Sequence, residues 1–278
     1  MRVVAVIPAR AGSKGIPRKN LRTVGSRTLV RRAIESAQRA RLVDGVVVST
    51  DGDDIAAEAV AAGARVVRRP PELAGDEASS ESALLHTLDA LRATGDEPQV
   101  LLFLQATSPF IDPADLDDAV ARVIGGSADS VFAATPSHAF LWRVDAAGHA
   151  VAVNHDAAIR PRRQDREPEH RETGAFYALR TDGFRQHQHR FFGRVEIVSV
   201  DPRGAIDIDD ESDLAEAEAH AAAQAAANAA AHPRTRDMHA PAPGPYDPLD
   251  PHDPRRSGTL PEPLDPQWWQ LATTNGAP

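Results

Sequence analysis

Two stretches far apart in the chain carry side chains suited to a phosphorylated ligand. Near the start, VVAVIPARAGSKGIPRKNL gathers Arg10, Lys14, Arg18 and Lys19 around Gly12 and Gly15, directly after an apolar β-branched run. Small residues at the end of a strand let backbone approach a ligand closely, and clustered cations suit a polyanion. Near the other end of the same pattern, AIDIDD places Asp207 and Asp209 two residues apart. In an extended segment such residues share a face, so both carboxylates point one way while Ile206 and Ile208 point into the core. Paired carboxylates repel, and a divalent cation such as Mg²⁺, shared with substrate phosphates, removes that repulsion.

Each stretch also has a plainer reading. A P-loop has its lysine after the second glycine, whereas Lys14 lies between Gly12 and Gly15. The dinucleotide fingerprint G-x-G-x-x-G is missing, and Pro8 and Pro17 stiffen the turn, which disfavours a kinase or a dehydrogenase. On spacing alone the loop reads equally well as a solvated basic loop. Asp210 and Asp213 fit the N-cap and first turn of a following helix. Arg160–Asp165 (RPRRQD), basic residues spaced by a proline, reads on its own as a solvated loop. Ser79 and Ser80 suffice as helix-capping residues, and Tyr177 suffices as a half-buried strand aromatic. His187 and His189 lack a third acidic ligand nearby and read as a surface loop rather than a zinc site.

These residues need a scaffold, and apolar periodicity supplies one. Val3–Ile7 reads as a buried strand, and apolar residues at three and four from Leu29 to Ala40 mark a helix face. Strands are expected at Gly45–Thr50, Ala64–Arg68, Val100–Leu104 and Ser130–Ala134. Helices at Asp53–Ala62, Ser79–Ala93 and Pro113–Ile124 alternate with them. Such alternation, with strands apolar throughout, predicts a mostly parallel sheet covered on both faces. Ligands of that architecture sit at the carboxyl ends of the strands, where Arg10–Asn20, Ser49–Gly52 (STDG) and Gln105–Pro109 (QATSP) would meet. From about Ser137 to Arg171 the pattern breaks into polar, arginine-rich pieces, expected to be an insertion outside the sheet. Strands resume at Gly174–Leu179 and Val195–Val200, and an alanine-rich helix spans Glu211–Ala231. Residues 232–278 hold half of the chain's 22 prolines and read as a disordered tail.

With 278 residues, 42% hydrophobic and 26% charged, the chain can bury one large core. A net charge of −9 disfavours nucleic acid and anionic membranes as partners, leaving the opening loop as a local basic patch for a small anion. Cysteine is absent, which excludes disulfides, thiolate metal sites and cysteine nucleophiles. The apolar run before Pro8 is too short for a signal peptide, and no stretch reaches membrane-spanning length, so a cytoplasmic location is expected.

The segment VIPARAGSKGIPRKNL resembles the N-terminal signature of the CMP-acylneuraminate (sialic acid) cytidylyltransferases over about 16 positions without a gap. The resemblance runs from about Val3 to Ala219. It implies an α/β three-layer sandwich with a mostly parallel, Rossmann-like sheet of the nucleotide-diphospho-sugar transferase type, plus a small dimerisation arm. Residues 1–231 would form that domain, with 137–171 as the arm of a homodimer. The implied reaction is Mg²⁺-dependent transfer of CMP from CTP to the anomeric hydroxyl of an acidic keto-sugar, with pyrophosphate released. The resemblance assigns nucleotide binding to Ala9, Arg10, Gly12, Ser13, Lys14, Gly15, Lys19, Asn20, Arg69 and Ser80, and sugar binding to Gln105, Thr107, Ser108, Arg163 and Tyr177. It makes Asp207 and Asp209 the Mg²⁺ ligands and, with Arg10 and Lys19, the catalytic set. Departures fall on the sugar side: Thr173 stands for the family's usual asparagine, Ala106 for a proline, and Ala139 and Leu141 follow His138 where a proline and a base are usual. These departures motivate another acid, such as Kdo or a phosphonate, as one alternative; the other is a silent homologue that binds nucleotide or acts as a scaffold through the proline-rich tail.

Overall fold

The computed structural model describes residues 1–13, 15–75 and 78–231; Lys14 and the proline-rich tail expected to be disordered lie outside the described residues. The chain runs β1 (Val3–Pro8), the short strands β2 (Thr23–Val24) and β3 (Arg27–Thr28), α1 (Leu29–Arg39), β4 (Gly45–Thr50), α2 (Asp53–Ala61) and β5 (Arg65–Arg68). It continues through α3 (Ser80–Ala93), β6 (Val100–Leu104), α4 (Pro113–Ile124), β7 (Ser130–Ser137), β8 (Trp142–Val144) and β9 (Ala150–Ala152). The last elements are β10 (Glu169–Arg180), α5 (Thr181–His187), β11 (Val195–Ser199) and α6 (Glu211–Ala231).

Seven strands form one sheet in the order β11-β7-β10-β6-β1-β4-β5. All are parallel except β10, which runs antiparallel to both β6 and β7. The alternation of side chains along β1 divides the core. Val3, Ala5 and Ile7 pack with Val30 and Ile34 of α1 and Leu116 and Val120 of α4. Val4 and Val6 face the opposite layer, with Leu84 and Leu88 of α3, Phe103 of β6 and Phe184 of α5. Both faces of the central strands β1 and β6 are therefore buried, which is why their sequences are apolar without a polar alternate.

A third cluster lies at one end of the sheet and unites Ile16, Val24 and Leu29 with Ile206, Ile208, Leu214 and Ala217. It joins the opening loop to the aspartate segment and to α6. Local chemistry fixes the helix starts. The Thr28 hydroxyl accepts from the Arg31 amide (3.2 Å), Ser79 Oγ from Ser82 (3.1 Å), and Asp112 Oδ1 from Ala114 (2.9 Å).

The sheet departs from the expected pattern at the arm. Ser137 pairs with Glu169 and Thr135 with Arg171, so the ends of the 137–171 segment belong to the sheet as an extension of the β7–β10 pair. Their charged residues hid this, because strand ends beyond a core need no apolar face. The hairpin β8–β9 lies within the arm. Helix α5 was also not anticipated, since its TDGFRQH sequence offers one apolar anchor, Phe184. Among the described residues no helix is long and apolar enough to cross a membrane.

Leu102 is fully buried in the middle of β6. Leu102→Ala should lower stability by about 2–5 kcal/mol, read as a shift of the urea midpoint.

Candidate active site

The carboxyl ends of β1 and β6 open on a cleft of about 420 Å³. Where β1 ends, the Ala9 amide continues the ladder by donating to Ser49 O (2.9 Å). Two residues on, the Ala11 amide donates to Asp51 Oδ1 (2.9 Å), which ties the loop to the residue that follows β4. Arg10 then reaches Gly75 O through Nη1 (2.8 Å), and its own carbonyl accepts from Asn20 Nδ2 (2.9 Å). Arg18 adopts a left-handed conformation (φ 55°, ψ 35°) and starts a 3₁₀ turn over Lys19–Leu21. That turn brings Lys19 back across the loop.

Lys19 Nζ donates to Ile208 O (2.8 Å) and lies 3.1 Å from Asp209 Oδ1. The lysine side chain is 16% exposed and that of Asp209 79% exposed, so a fixed cation borders an open carboxylate. Asp207 and Asp209 face the cleft, while Ile206 and Ile208 are buried as their alternation predicts. The segment is not a strand of the sheet. It is tied down instead by the Ile208 amide, which donates to Thr107 O (2.9 Å). Asp213 Oδ2 accepts from the amides of Asp209 (2.8 Å) and Asp210 (3.0 Å), and Asp210 Oδ1 accepts from those of Ser212 and Asp213. Asp210 is thus the N-cap of α6, and Asp213 closes a reciprocal box.

Burial raises the pKa of Asp207, with Asp209 adding to the effect; the Thr107 hydroxyl bond and Lys19 oppose it. Across the cleft, Arg69 is 8% exposed and pinned to Ser49 by Nη2 to the carbonyl (2.7 Å) and Nε to the hydroxyl (3.3 Å). Burial, with Arg10 nearby, lowers its pKa, and Asp51 opposes the shift. The cleft therefore carries three cations and two carboxylates, with Lys19 beside the carboxylates and Arg10 near Arg69. Among the described residues no group of three or more His, Cys, Asp or Glu side chains is arranged to hold a metal. The arrangement suits a polyphosphate accompanied by a hard cation, which would share oxygen ligands between protein and ligand.

Of the residues singled out in the sequence, Arg10, Ser13, Gly15, Lys19, Asn20 and Arg69 line this cleft, with Ser80, Gln105, Thr107, Asp207 and Asp209. Ala9 lies buried just behind it, and Gly12 is exposed. Ser49–Gly52 does not line the cleft as expected, but braces it from behind through Asp51 and Ser49. Three residues assigned to the sugar lie elsewhere. Ser108 faces a neighbouring cavity that it shares with Thr173, Phe176 and Arg203, because the chain turns at Thr107. Tyr177 is 1% exposed, stacked on Phe103 with ring centroids 5.3 Å apart, and its hydroxyl donates to Glu172. Arg163 is exposed on the arm in a short 3₁₀ turn. His187 and His189 turn to different rings, Phe192 and Phe191. Ser79, read in the sequence as a helix-capping residue, caps α3 and also lines the cleft, while sequence reasoning missed Pro8 and Ala78 in the lining and Asp51 as its brace. The signal for Asp51 was its place one residue beyond β4.

The two glycines of the opening loop differ. A Cβ at Gly15 would lie 2.2 Å from Asp209 O, whereas nothing lies within 4 Å of one at Gly12. Gly15→Ala should lower stability by about 1–3 kcal/mol by parting the two loops. Gly12→Ala should stay within about 0.5 kcal/mol, both read by urea denaturation.

Comparison with known proteins agrees with this geometry. The family model described as Cytidylyltransferase matches residues 4–224. N-acylneuraminate cytidylyltransferase A of Danio rerio is 35% identical over 219 residues, 78% of this chain and 50% of that protein. Pseudaminic acid cytidylyltransferase of Campylobacter jejuni is 29% identical over 221 residues, 77% of this chain and 94% of that protein. A solved structure of CMP:2-keto-3-deoxy-manno-octonic acid synthetase complexed with CTP shares the fold, with a TM-score of 0.61 at 18% identity over 81% of this chain and 100% of that one. The chain spans about half the length of the Danio rerio relatives it matches. Since the family model covers most of its length and N-acylneuraminate cytidylyltransferases are 35% and 38% identical to it, the chain belongs to the cytidylyltransferase family, together with the N-acylneuraminate cytidylyltransferases.

Proposed function

We propose that the cleft transfers CMP from CTP to the anomeric hydroxyl of a nonulosonic, sialic-type acid and releases pyrophosphate. The observation that carries this reading is the meeting of Arg10, Lys19 and Arg69 with Asp207 and Asp209 in one cleft. The names of the N-acylneuraminate and pseudaminic acid relatives, and the CTP bound to the structural neighbour, support the choice of substrates. In the reaction the sugar hydroxyl attacks the α-phosphorus in line and loses its proton to solvent, forming an O–P bond as the bond to the leaving pyrophosphate breaks. Arg10, Lys19 and Arg69 hold the triphosphate and offset charge on its oxygens, with little reorganisation because Arg69 and Lys19 are already fixed by backbone carbonyls. Gly15 and Ser13 keep backbone close to the phosphates. Asp207 and Asp209 fit Mg²⁺, being hard oxygen donors facing a cavity in which burial and their mutual repulsion disfavour two bare charges. When bound, that ion supplies charge neutralisation at the phosphates. Thr107 orients Asp207, and Gln105 borders the sugar.

The active unit in this reading is a cytoplasmic homodimer, acting on small anions and not on nucleic acid. On the arm, Leu141, Trp142, Val144, Val153 and Ile159 are exposed, Val144 by 74%. Covering them with a second copy removes apolar surface from water and would bring each Arg163 toward the other subunit's acidic sugar.

Pyrophosphate release should depend on CTP, on Mg²⁺ and on one acid from a panel of sialic, legionaminic and pseudaminic acids, Kdn, Kdo and phosphonates. Asp209→Asn and Lys19→Ala should each lower kcat by about 100-fold or more with the fold retained by circular dichroism. Absence of release with every nine-carbon acid overturns the sugar assignment, and full activity of Asp209→Asn overturns the metal assignment. Val144→Asp combined with Leu141→Asp should convert the dimer to a monomer in sedimentation velocity.

A further inference from the structure

In the cleft, Asp209 meets a counter-ion from its own chain. Lys19 Nζ lies 3.1 Å from Asp209 Oδ1 and donates to Ile208 O (2.8 Å). Among the described residues Lys19 is the side-chain partner of that carboxylate, which is 79% exposed while its backbone amide is fixed by Asp213 Oδ2 (2.8 Å). The lysine is the more enclosed partner, 16% exposed and tied to a carbonyl 189 residues away. An ammonium and a divalent cation compete for one carboxylate and repel each other across a few ångströms.

The charge of the whole cleft acts in the same direction. Three cations, Arg10, Lys19 and Arg69, line it with two carboxylates, Asp207 and Asp209, so one positive charge is in excess. Among the described residues no third acidic or imidazole ligand completes a metal set. A dication alone therefore finds net repulsion and two carboxylates, one of them already paired. A nucleoside triphosphate carries more than one negative charge, which reverses the sign of the cleft, and it adds the phosphate oxygens that Mg²⁺ shares with one or two carboxylates. With three N–H donors, the Lys19 ammonium can turn to such an oxygen while keeping its bond to Ile208 O.

We propose that Lys19 is an internal counter-ion that bars Asp209 to a free divalent cation and yields it when nucleotide arrives, so that the aspartate pair takes metal together with CTP and not before it. The inference rests on the metal and CTP assignments of the proposed reaction and adds to them an order of binding. It gives Lys19 two opposed effects: its charge favours the triphosphate and disfavours the bare metal. A lysine that only supported the loop would favour both.

The test is titration of the full chain with Mn²⁺ in the absence of nucleotide, read from the electron paramagnetic resonance signal of the free ion. Lys19→Met and Lys19→Gln, which remove the charge, should each bind Mn²⁺ about tenfold or more tightly than the parent chain. Lys19→Arg, which keeps the charge, should bind like the parent, and adding Asp209→Asn to Lys19→Met should remove the gain. The counter-ion role is overturned if neither uncharged variant gains affinity, if Lys19→Arg gains as much as Lys19→Met, or if the gain survives Asp209→Asn. Circular dichroism checks each fold, and should Lys19→Met fail to fold, Lys19→Gln decides by itself. Pyrophosphate release by the parent chain tells this failure from that of the metal assignment. Release that needs Mg²⁺, with no gain in the variants, overturns the counter-ion alone, whereas release without any divalent cation overturns both.

Discussion

The cleft depends on one seam: the packing of the 205–209 segment against the opening loop. Lys19 and Ile208 are 189 residues apart, yet the lysine ammonium donates to the isoleucine carbonyl, and the Asp209 carbonyl occupies the space where Gly15 lacks a side chain. Apolar burial drives this seam. Ile206 and Ile208 are buried with Ile16, Leu214 and Ala217, and burying an isoleucine side chain is worth roughly 1.5–3 kcal/mol. Two carboxylates a few ångströms apart at a protein surface repel by roughly 1–4 kcal/mol. The isoleucines therefore offset the repulsion of the aspartates that alternate with them, and hold both carboxylates toward the cleft before any ligand arrives.

Behind the seam, polar anchors fix the opening loop and Arg69. Asp51 takes the Ala11 amide and lies near Arg69, whose guanidinium is bound to Ser49. These groups sit at the end of β4, behind the cleft, and they fix the Ala11 amide and the Arg69 guanidinium in place. Pre-set charges of this kind stabilise developing negative charge without reorganising.

Periodicity made most of the sheet legible, because buried parallel strands such as Val100–Leu104 are apolar at every position and bounded by turn residues. The paired aspartates were legible too, since alternation with isoleucine marks which face each occupies. Tertiary placement was not. Nothing local separates Thr107, which enters the cleft, from Ser108, which faces the neighbouring cavity one residue later. Tyr177 was matched to a sugar contact, but its place in β10 aligns it with Phe103 and Phe132, and the pairing buries its ring. The charged start of β10 escaped notice for the opposite reason: it pairs with the polar end of β7 and carries no apolar signature.

The departures at Thr173 and Ala106 gain a physical meaning from this placement. Between Glu172 and Tyr177 the register of β10 against β7 shifts, and Gly174, at φ +75°, passes beside Gln105 and Asp207. The Thr173 hydroxyl donates to Ala133 O (3.1 Å) and accepts from the Ala175 amide (3.3 Å), so it stabilises the bulge from the side away from the cleft. Ala106 is 3% exposed between Gln105 and Thr107, and the Gln105 amide donates to Ala175 O (3.0 Å). Both substituted positions therefore lie in the wall that carries Gln105, while the ties from Thr107 and Asp213 to the aspartate segment are made elsewhere. In the proposed reaction the wall that carries Gln105 is then the place where a different acid would be accommodated, while Lys19 and Asp213 hold the aspartate segment from its other side.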